Sequence, residues 1–233
     1  MPNFACRSLQ PELIDDFTLS GETLSRNLRE LEYINAYLGG NAVTLKGVKY
    51  FVKRLGTPIS IADVGCGGGD TLGYLSRWAG RYRYTLQLSG YDANPFIVEY
   101  ALKRHQDYPD IRYYCLDVWS KEFEQVQPDV FLLSLFCHHF GDEQLKTLLA
   151  RLLHQARKGI IINDLQRHPM AYYSIRWLAR LLGGSHLLQH DAPLSVLKGF
   201  RKEELQTLLQ EIAPKKFQIS WHWAFRYLVI IEK

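Results

Sequence analysis

Cysteine is scarce in this chain. Four are spread over 233 residues, at Cys6, Cys66, Cys115 and Cys137, with no Cys-x-x-Cys pair. That spacing excludes a disulfide framework and a zinc knuckle. Like charges never run to five in a row, and 28 Lys and Arg against 24 Asp and Glu leave a net +4. No basic tract therefore points to nucleic acid. Long apolar runs are missing too: the longest, around residues 130–137 and 159–162, have strand length and are too short to span a bilayer. The opening MPNFACRSLQPEL has no apolar core of the kind a signal peptide needs. Repeats and low-complexity segments are absent. The expectation is a soluble, reduced, cytoplasmic protein with neither a membrane span nor a nucleic-acid partner, and a monomer or homodimer.

What is present is a globular composition, 47% hydrophobic and 22% charged. A single domain of this size buries roughly 70% of the surface its unfolded chain would expose, so one domain with an appendage is expected. After a polar lead-in, Leu24, Leu28, Leu31, Ile34 and Leu38 recur at helical spacing. Ser20 or Gly21 caps this helix and Gly39-Gly40 stops it. Asn41 has the character of an N-cap for a second helix carrying Leu45, Val48, Phe51, Val52 and Leu55, which Gly56-Thr57-Pro58 ends.

From there strands and helices alternate. Strands are expected at 59–64, 85–91, 111–116, 130–135 and 159–163, with helices at 71–78, 95–104 and 143–157. Asn94-Pro95 is a cap-plus-first-turn pair opening the 95–104 helix. This rhythm implies parallel βαβ units with right-handed crossovers. The tail departs from it: a helix at 170–182, about 18 irregular residues, a helix at 202–212, and strands at 217–224 and 227–232 joined by a tight turn. Such a pair is antiparallel, so the sheet is mixed.

The glycine-rich run Asp63-Val-Gly65-Cys66-Gly67-Gly68-Gly69-Asp70 falls at a strand-to-helix turn. Open parallel sheets bind ligands at that edge. A dinucleotide fingerprint would place its third glycine where Asp70 stands. A carboxylate at a helix N-terminus repels a pyrophosphate, and Asp63 adds a second negative charge. A phosphate-free cofactor with a positive centre, such as S-adenosylmethionine (SAM), fits better. Asp92 ends the next strand, where a carboxylate accepts hydrogen bonds from ribose hydroxyls. Asp117 comes after the third, positioned for an adenine amino group, with Val118 as wall or backbone donor.

With D63-V-G-C-G-G-G-D70, G90-Y-D92-A-N-P, C115-L-D117-V and S134-L-F-C-H-H-F140, the chain resembles the class I SAM-dependent methyltransferases from about residue 59 to 231. The resemblance implies an α/β, Rossmann-like three-layer sandwich with a seven-stranded mixed sheet and an antiparallel C-terminal hairpin. A helical extension (1–56) would precede the methyltransferase domain (57–233), and an insert (164–200) would act as a helical lid. It implies a cofactor set of Asp63, Gly65, Cys66, Gly67, Gly69, Asp92, Ala93, Asp117, Val118 and Ser134, with S-adenosylhomocysteine as product. Gly68 is read as serving only the turn.

Methyl transfer is an in-line displacement for which the enzyme supplies mainly alignment. A base is needed only when the nucleophile must lose a proton, and His138 and His139 are the candidates. Neighbours on extended chain point oppositely, so both need not face the site. No metal ligand set is evident. Phe136 and the insert's Tyr172, Tyr173 and Trp177 are the candidate acceptor contacts, while Arg26, Arg29 or Arg167 could hold an anion. The runs R26-N-L-R29-E-L-E-Y-I-N35-A-Y-L-G39-G40 and I162-N-D164-L-Q-R167-H-P, with D191-A-P-L-S195, resemble a bacterial subgroup related to ubiquinone and menaquinone methyltransferases and associated with type III polyketide synthases. That implies a small phenolic or polyketide-like acceptor and O-methylation. C-methylation of a quinone-type ring, or an RNA or protein substrate, are the alternatives.

Overall fold

The computed structural model describes residues 2–233. Two helices come first, α1 (Gly21–Tyr37) and α2 (Gly40–Leu55), followed by β1 (Ile59–Val64), α3 (Asp70–Tyr82), β2 (Leu86–Asp92), α4 (Pro95–Arg104) and β3 (Ile111–Cys115). Then come β4 (Val130–Ser134), α5 (Asp142–Gln155), β5 (Gly159–Leu165), α6 (Pro169–Leu181), α7 (His186–Lys198), α8 (Lys202–Ile212), β6 (Lys216–His222) and β7 (Arg226–Glu232). Asn94 caps α4 as expected, its side chain accepting from the Phe96 and Ile97 amides.

The seven strands form one sheet in the order β3-β2-β1-β4-β5-β7-β6. The first five run parallel, and β7 is antiparallel to both β5 and β6. Strand residues alternate between two cores, as a period of two dictates. Ile59, Ile61, Val130, Leu132, Ile161, Leu228 and Ile230 face α2, α3 and α4. Ala62, Val64, Phe131, Leu133, Ile160, Ile162, Val229 and Ile231 face α5 and α8. The result is a three-layer sandwich in which β4, β5 and β7 are covered on both sides. Helix α1 stands off the sheet, packing Leu24 and Leu28 on Ile97 of α4. By contrast, Val48 and Phe51 of α2 sit in the main core.

Two local expectations need correction. Asn41 lies inside α2, whose N-cap is Gly39 in the left-handed region at φ 76°. The segment expected to be irregular after α6 contains α7, with Pro193 inside it. Its apolar residues show no single face, so periodicity alone does not reveal it; packing of Leu187, Leu188, Leu194 and Val196 holds it instead. The polar lead-in also has a fixed place. Residues 7–17 run across the carboxyl ends of the central strands, where the sheet order reverses between β1 and β4.

Candidate active site

A cavity of about 630 Å³ opens at that reversal point. One end is formed by β1–β3. The Gly65 and Cys66 amides donate to the Tyr91 carbonyl at 2.8 and 3.1 Å, tying the glycine loop to the end of β2. Gly65 sits at φ +67°, and a Cβ there would lie 2.1 Å from the Phe136 ring, so this position admits only glycine. Asp92 accepts from the Gly67 amide (3.2 Å) and the Asn94 amide (3.0 Å), one bond on each oxygen. Each oxygen keeps a lone pair for a ligand hydroxyl. Asp117 makes a local turn with the Trp119 amide at 2.9 Å and lines the wall beside Val118. Asp63 is buried with Oδ1 unpartnered. Burial pushes its carboxyl up, reinforced by Asp70 and then Asp92. Asp70, first residue of α3, accepts from Asn35 of α1 at 2.9 Å. Burial raises both Asp70 and Asp92.

The other end is built on β4 and the turn after it. Leu135 takes φ +54°, costly for a branched residue and found where a site imposes it. A 3-10 turn, Cys137–His139, then turns both imidazoles inward, stacked with centroids 4.4 Å apart. This corrects the expectation that extended neighbours diverge. His138 is buried, with Nδ1 2.7 Å from Asp164 Oδ1. Burial pulls His138 down, but Asp164 and then Glu12 outweigh it and raise it. Asp164 in turn is held low by His138 against its own burial.

His139 Nδ1 lies 2.7 Å from Asp15 Oδ1. Burial raises the Asp15 carboxyl, but His139 and Lys198 more than offset this and hold it well below the carboxylate range. Glu12 Oε1 is 3.5 Å from His138 Nε2 and 3.2 Å from Lys198 Nζ. Glu12, His138 and His139 thus bring ligating atoms within 4.8 Å of one another. The Lys198 ammonium already supplies positive charge there, so the geometry is that of an ion-paired network. The lead-in carrying Glu12 and Asp15 is fastened by Arg7, which reaches the carbonyls of His138, Phe140 and Lys198. Asp191 accepts from the Leu13 and Ile14 amides at 2.9 and 3.0 Å.

Residues 61–159 match the family described as a methyltransferase domain. The chain carries a methyltransferase domain over these residues. No curated protein matches the sequence. Among solved structures it is similar to the plantazolicin methyltransferase BpumL in complex with a triazolic desmethylPZN analog and S-adenosylhomocysteine (18% identity, 90% of each chain, TM-score 0.66). It is also similar to magnesium protoporphyrin IX methyltransferase ChlM from Synechocystis PCC 6803 with bound S-adenosylhomocysteine (14%, 84% of each chain, TM-score 0.56). A third is the CurJ carbon methyltransferase (17%, 82% of this chain and 53% of that one, TM-score 0.59).

In this methyltransferase Asp63, Gly65, Cys66, Gly67, Asp92, Ala93, Asp117, Val118, Ser134, Phe136, His138 and His139 all line the cavity. Gly69 does not: it is the left-handed N-cap of α3, and Gly68 lines the wall in its place. Tyr172, Tyr173 and Trp177 also fall outside the wall. Tyr172 packs edge-on against Phe4, and Trp177 is 73% exposed. The face of α6 that meets the cavity is Ala171, Ser174, Ile175 and Leu178, one helical stripe.

Arg26, Arg29 and Arg167 are occupied elsewhere, by Glu30, Glu22 and Glu204 respectively. The cavity's own arginine is Arg226, a fully buried guanidinium. Glu12, Asp15, Asn35 and Arg226 escape a reading by motif. Their signals were an acidic pair three apart around Leu13-Ile14, and a lone charge heading the apolar run of β7.

Proposed function

We propose that this methyltransferase transfers the methyl group of SAM to a small, largely apolar acceptor through a phenol-like hydroxyl, with His139 as general base. The observation that carries this reading is the His139–Asp15 pair in the cavity wall. With Nδ1 donating to Asp15, Nε2 keeps the lone pair. A carboxylate in that position fixes the ring and favours the imidazolium that forms when a proton is taken. His138 is locked between Asp164 and Glu12 and serves the charge balance of the network.

The donor's sulfonium supplies a methyl group on a good leaving group, and the protein's share is alignment, desolvation and removal of a proton. Asp92 would hold the ribose, Asp117 and Val118 the adenine, and Gly65–Gly68 the backbone-lined approach. The unpartnered Asp63 Oδ1 and the three raised carboxyls suit a donor that is cationic and rich in hydrogen-bond donors. Ile14, Phe17, Leu31, Ile34, Ile175 and Leu178 give the acceptor end an apolar wall. The same base would serve an acidic ring carbon, and the carbon methyltransferase among the similar structures favours that second reading.

The test is labelled-methyl transfer from SAM to a panel of phenols, pyrones and resorcinols, with the product's methylated atom assigned by NMR. Methylation at oxygen, lost in His139→Ala, supports the reading. Transfer to none of the panel, or full activity in His139→Ala, contradicts it.

A further inference from the structure

Arg226 is 2% exposed, lines the cavity, and has Nε and Nη1 without a partner. It forms no ion pair among the described residues, and the two carboxylates whose charge reaches it are hydrogen-bonded to other side chains, Asp164 to His138 and Asp70 to Asn35. Burial pushes the guanidinium down to about 10, against the pull of Asp164 and Asp70. A buried guanidinium whose N–H groups are unbonded is strongly unfavourable, so the position is suited to an anionic acceptor. The guanidinium lies against the amino end of α2, where a Cβ on Gly40 would come within 2.9 Å of Cζ. The helix's first amides and its dipole add to the demand for negative charge there. Three more buried atoms bordering the same cavity lack hydrogen-bond partners: Glu12 Oε1, which lies 3.2 Å from the Lys198 ammonium, Asn35 Oδ1, and Asp63 Oδ1, whose residue has no ion pair among the described residues; all three are acceptors. Positive and negative groups awaiting counter-charges together describe a zwitterion. A phosphate would satisfy Arg226 but oppose Asp63 and Asp70.

We infer that Arg226, with the amino end of α2, binds the α-carboxylate of the donor's methionine moiety while Asp63 and Asp70 face its ammonium. This rests on the proposed SAM chemistry of the same cavity. A carboxylate on the acceptor has the same chemistry, and the experiment separates the two sources. The full-length protein is titrated calorimetrically with S-adenosylhomocysteine, its decarboxylated analogue, and 5′-methylthioadenosine, which lacks the amino-acid end.

Wild type should bind S-adenosylhomocysteine at least about tenfold more tightly than the decarboxylated analogue, as expected when hydrogen bonds to a charged group are lost. Arg226→Met should erase that difference and leave methylthioadenosine binding unchanged. Equal wild-type affinity for S-adenosylhomocysteine and its decarboxylated analogue overturns the assignment without recourse to any variant. So does an Arg226→Met protein that keeps the difference and shows only a raised KM for acidic acceptors. Failure of wild type to bind all three overturns the SAM reading itself.

Discussion

The two ends of the cavity are built in different ways. The proposed donor end comes mainly from residues 63–118, three consecutive strand ends with their turns, joined by Arg226 and the amino end of α2, and its loop is shaped by backbone: the Gly65 and Cys66 amides on Tyr91 and the Gly67 amide on Asp92. The proposed acceptor end gathers Asp15, His139, the α6 stripe, Lys198 and Trp223 from distant parts of the chain. It is held by side-chain charge around an anchored N-terminal segment. The donor end should therefore tolerate changes at the acceptor end, and the two ends should respond to pH on opposite sides of neutrality.

The largest expected break in that symmetry is His139→Ala. Turnover on a protonated acceptor should fall by about 10²–10⁴-fold, the usual worth of a general base, with S-adenosylhomocysteine affinity unchanged by calorimetry. Loss of cofactor affinity in that variant would mean the two ends are not separable. Asp92→Ala tests the converse, and should weaken cofactor binding by about 1.5–3 kcal/mol; unchanged affinity would discard the ribose assignment.

Titration sharpens the contrast further. His138 is raised in the folded protein, so its contribution to stability is full below its unfolded pKa and is lost as pH rises through the folded value. Asp164 is lowered, so its contribution is present above the unfolded pKa and lost as pH falls through the folded one. Urea midpoints should decline on the alkaline side of neutrality, and His138→Gln should flatten that decline. At the donor end Asp63, Asp70 and Asp92 are raised, and protonation competes with a cationic, donor-rich ligand. Cofactor affinity should thus weaken as pH is lowered from 7 towards 5, while a pH-independent Kd would contradict ionised acids in the site.

The smallest effect is expected at Trp177 and Tyr173, exposed on the outer side of α6. Alanine there should change stability by no more than about 0.5 kcal/mol and leave KM alone. Leu178→Ala, on the cavity stripe, should raise KM for the acceptor.

The same contrast explains what could be read from sequence. Glycines and acids at fixed offsets from strand ends act through local geometry, so Gly65, Gly67, Asp92 and Asp117 are visible one motif at a time. The alternation of strands and helices likewise yields the mixed sheet and its final hairpin. The aromatic residues of α6 were conspicuous by composition, yet the helix turns its smaller residues inward, and only the packing of α6 on α7 decides that face. Glu12 and Asp15 acquire meaning only once a chain segment more than 120 residues away meets His139. Arg226 does so once β7 inserts beside β5.

The most direct measurement is a calorimetric titration of S-adenosylhomocysteine into wild type, Asp92→Ala and Asp15→Asn, with methyl transfer assayed on the same samples. Micromolar binding in wild type, weakened in Asp92→Ala and intact in an Asp15→Asn protein that no longer transfers methyl groups efficiently, is the predicted result. Absent binding in wild type, or an Asp15→Asn protein that loses cofactor while Asp92→Ala retains it, would contradict the division of the cavity.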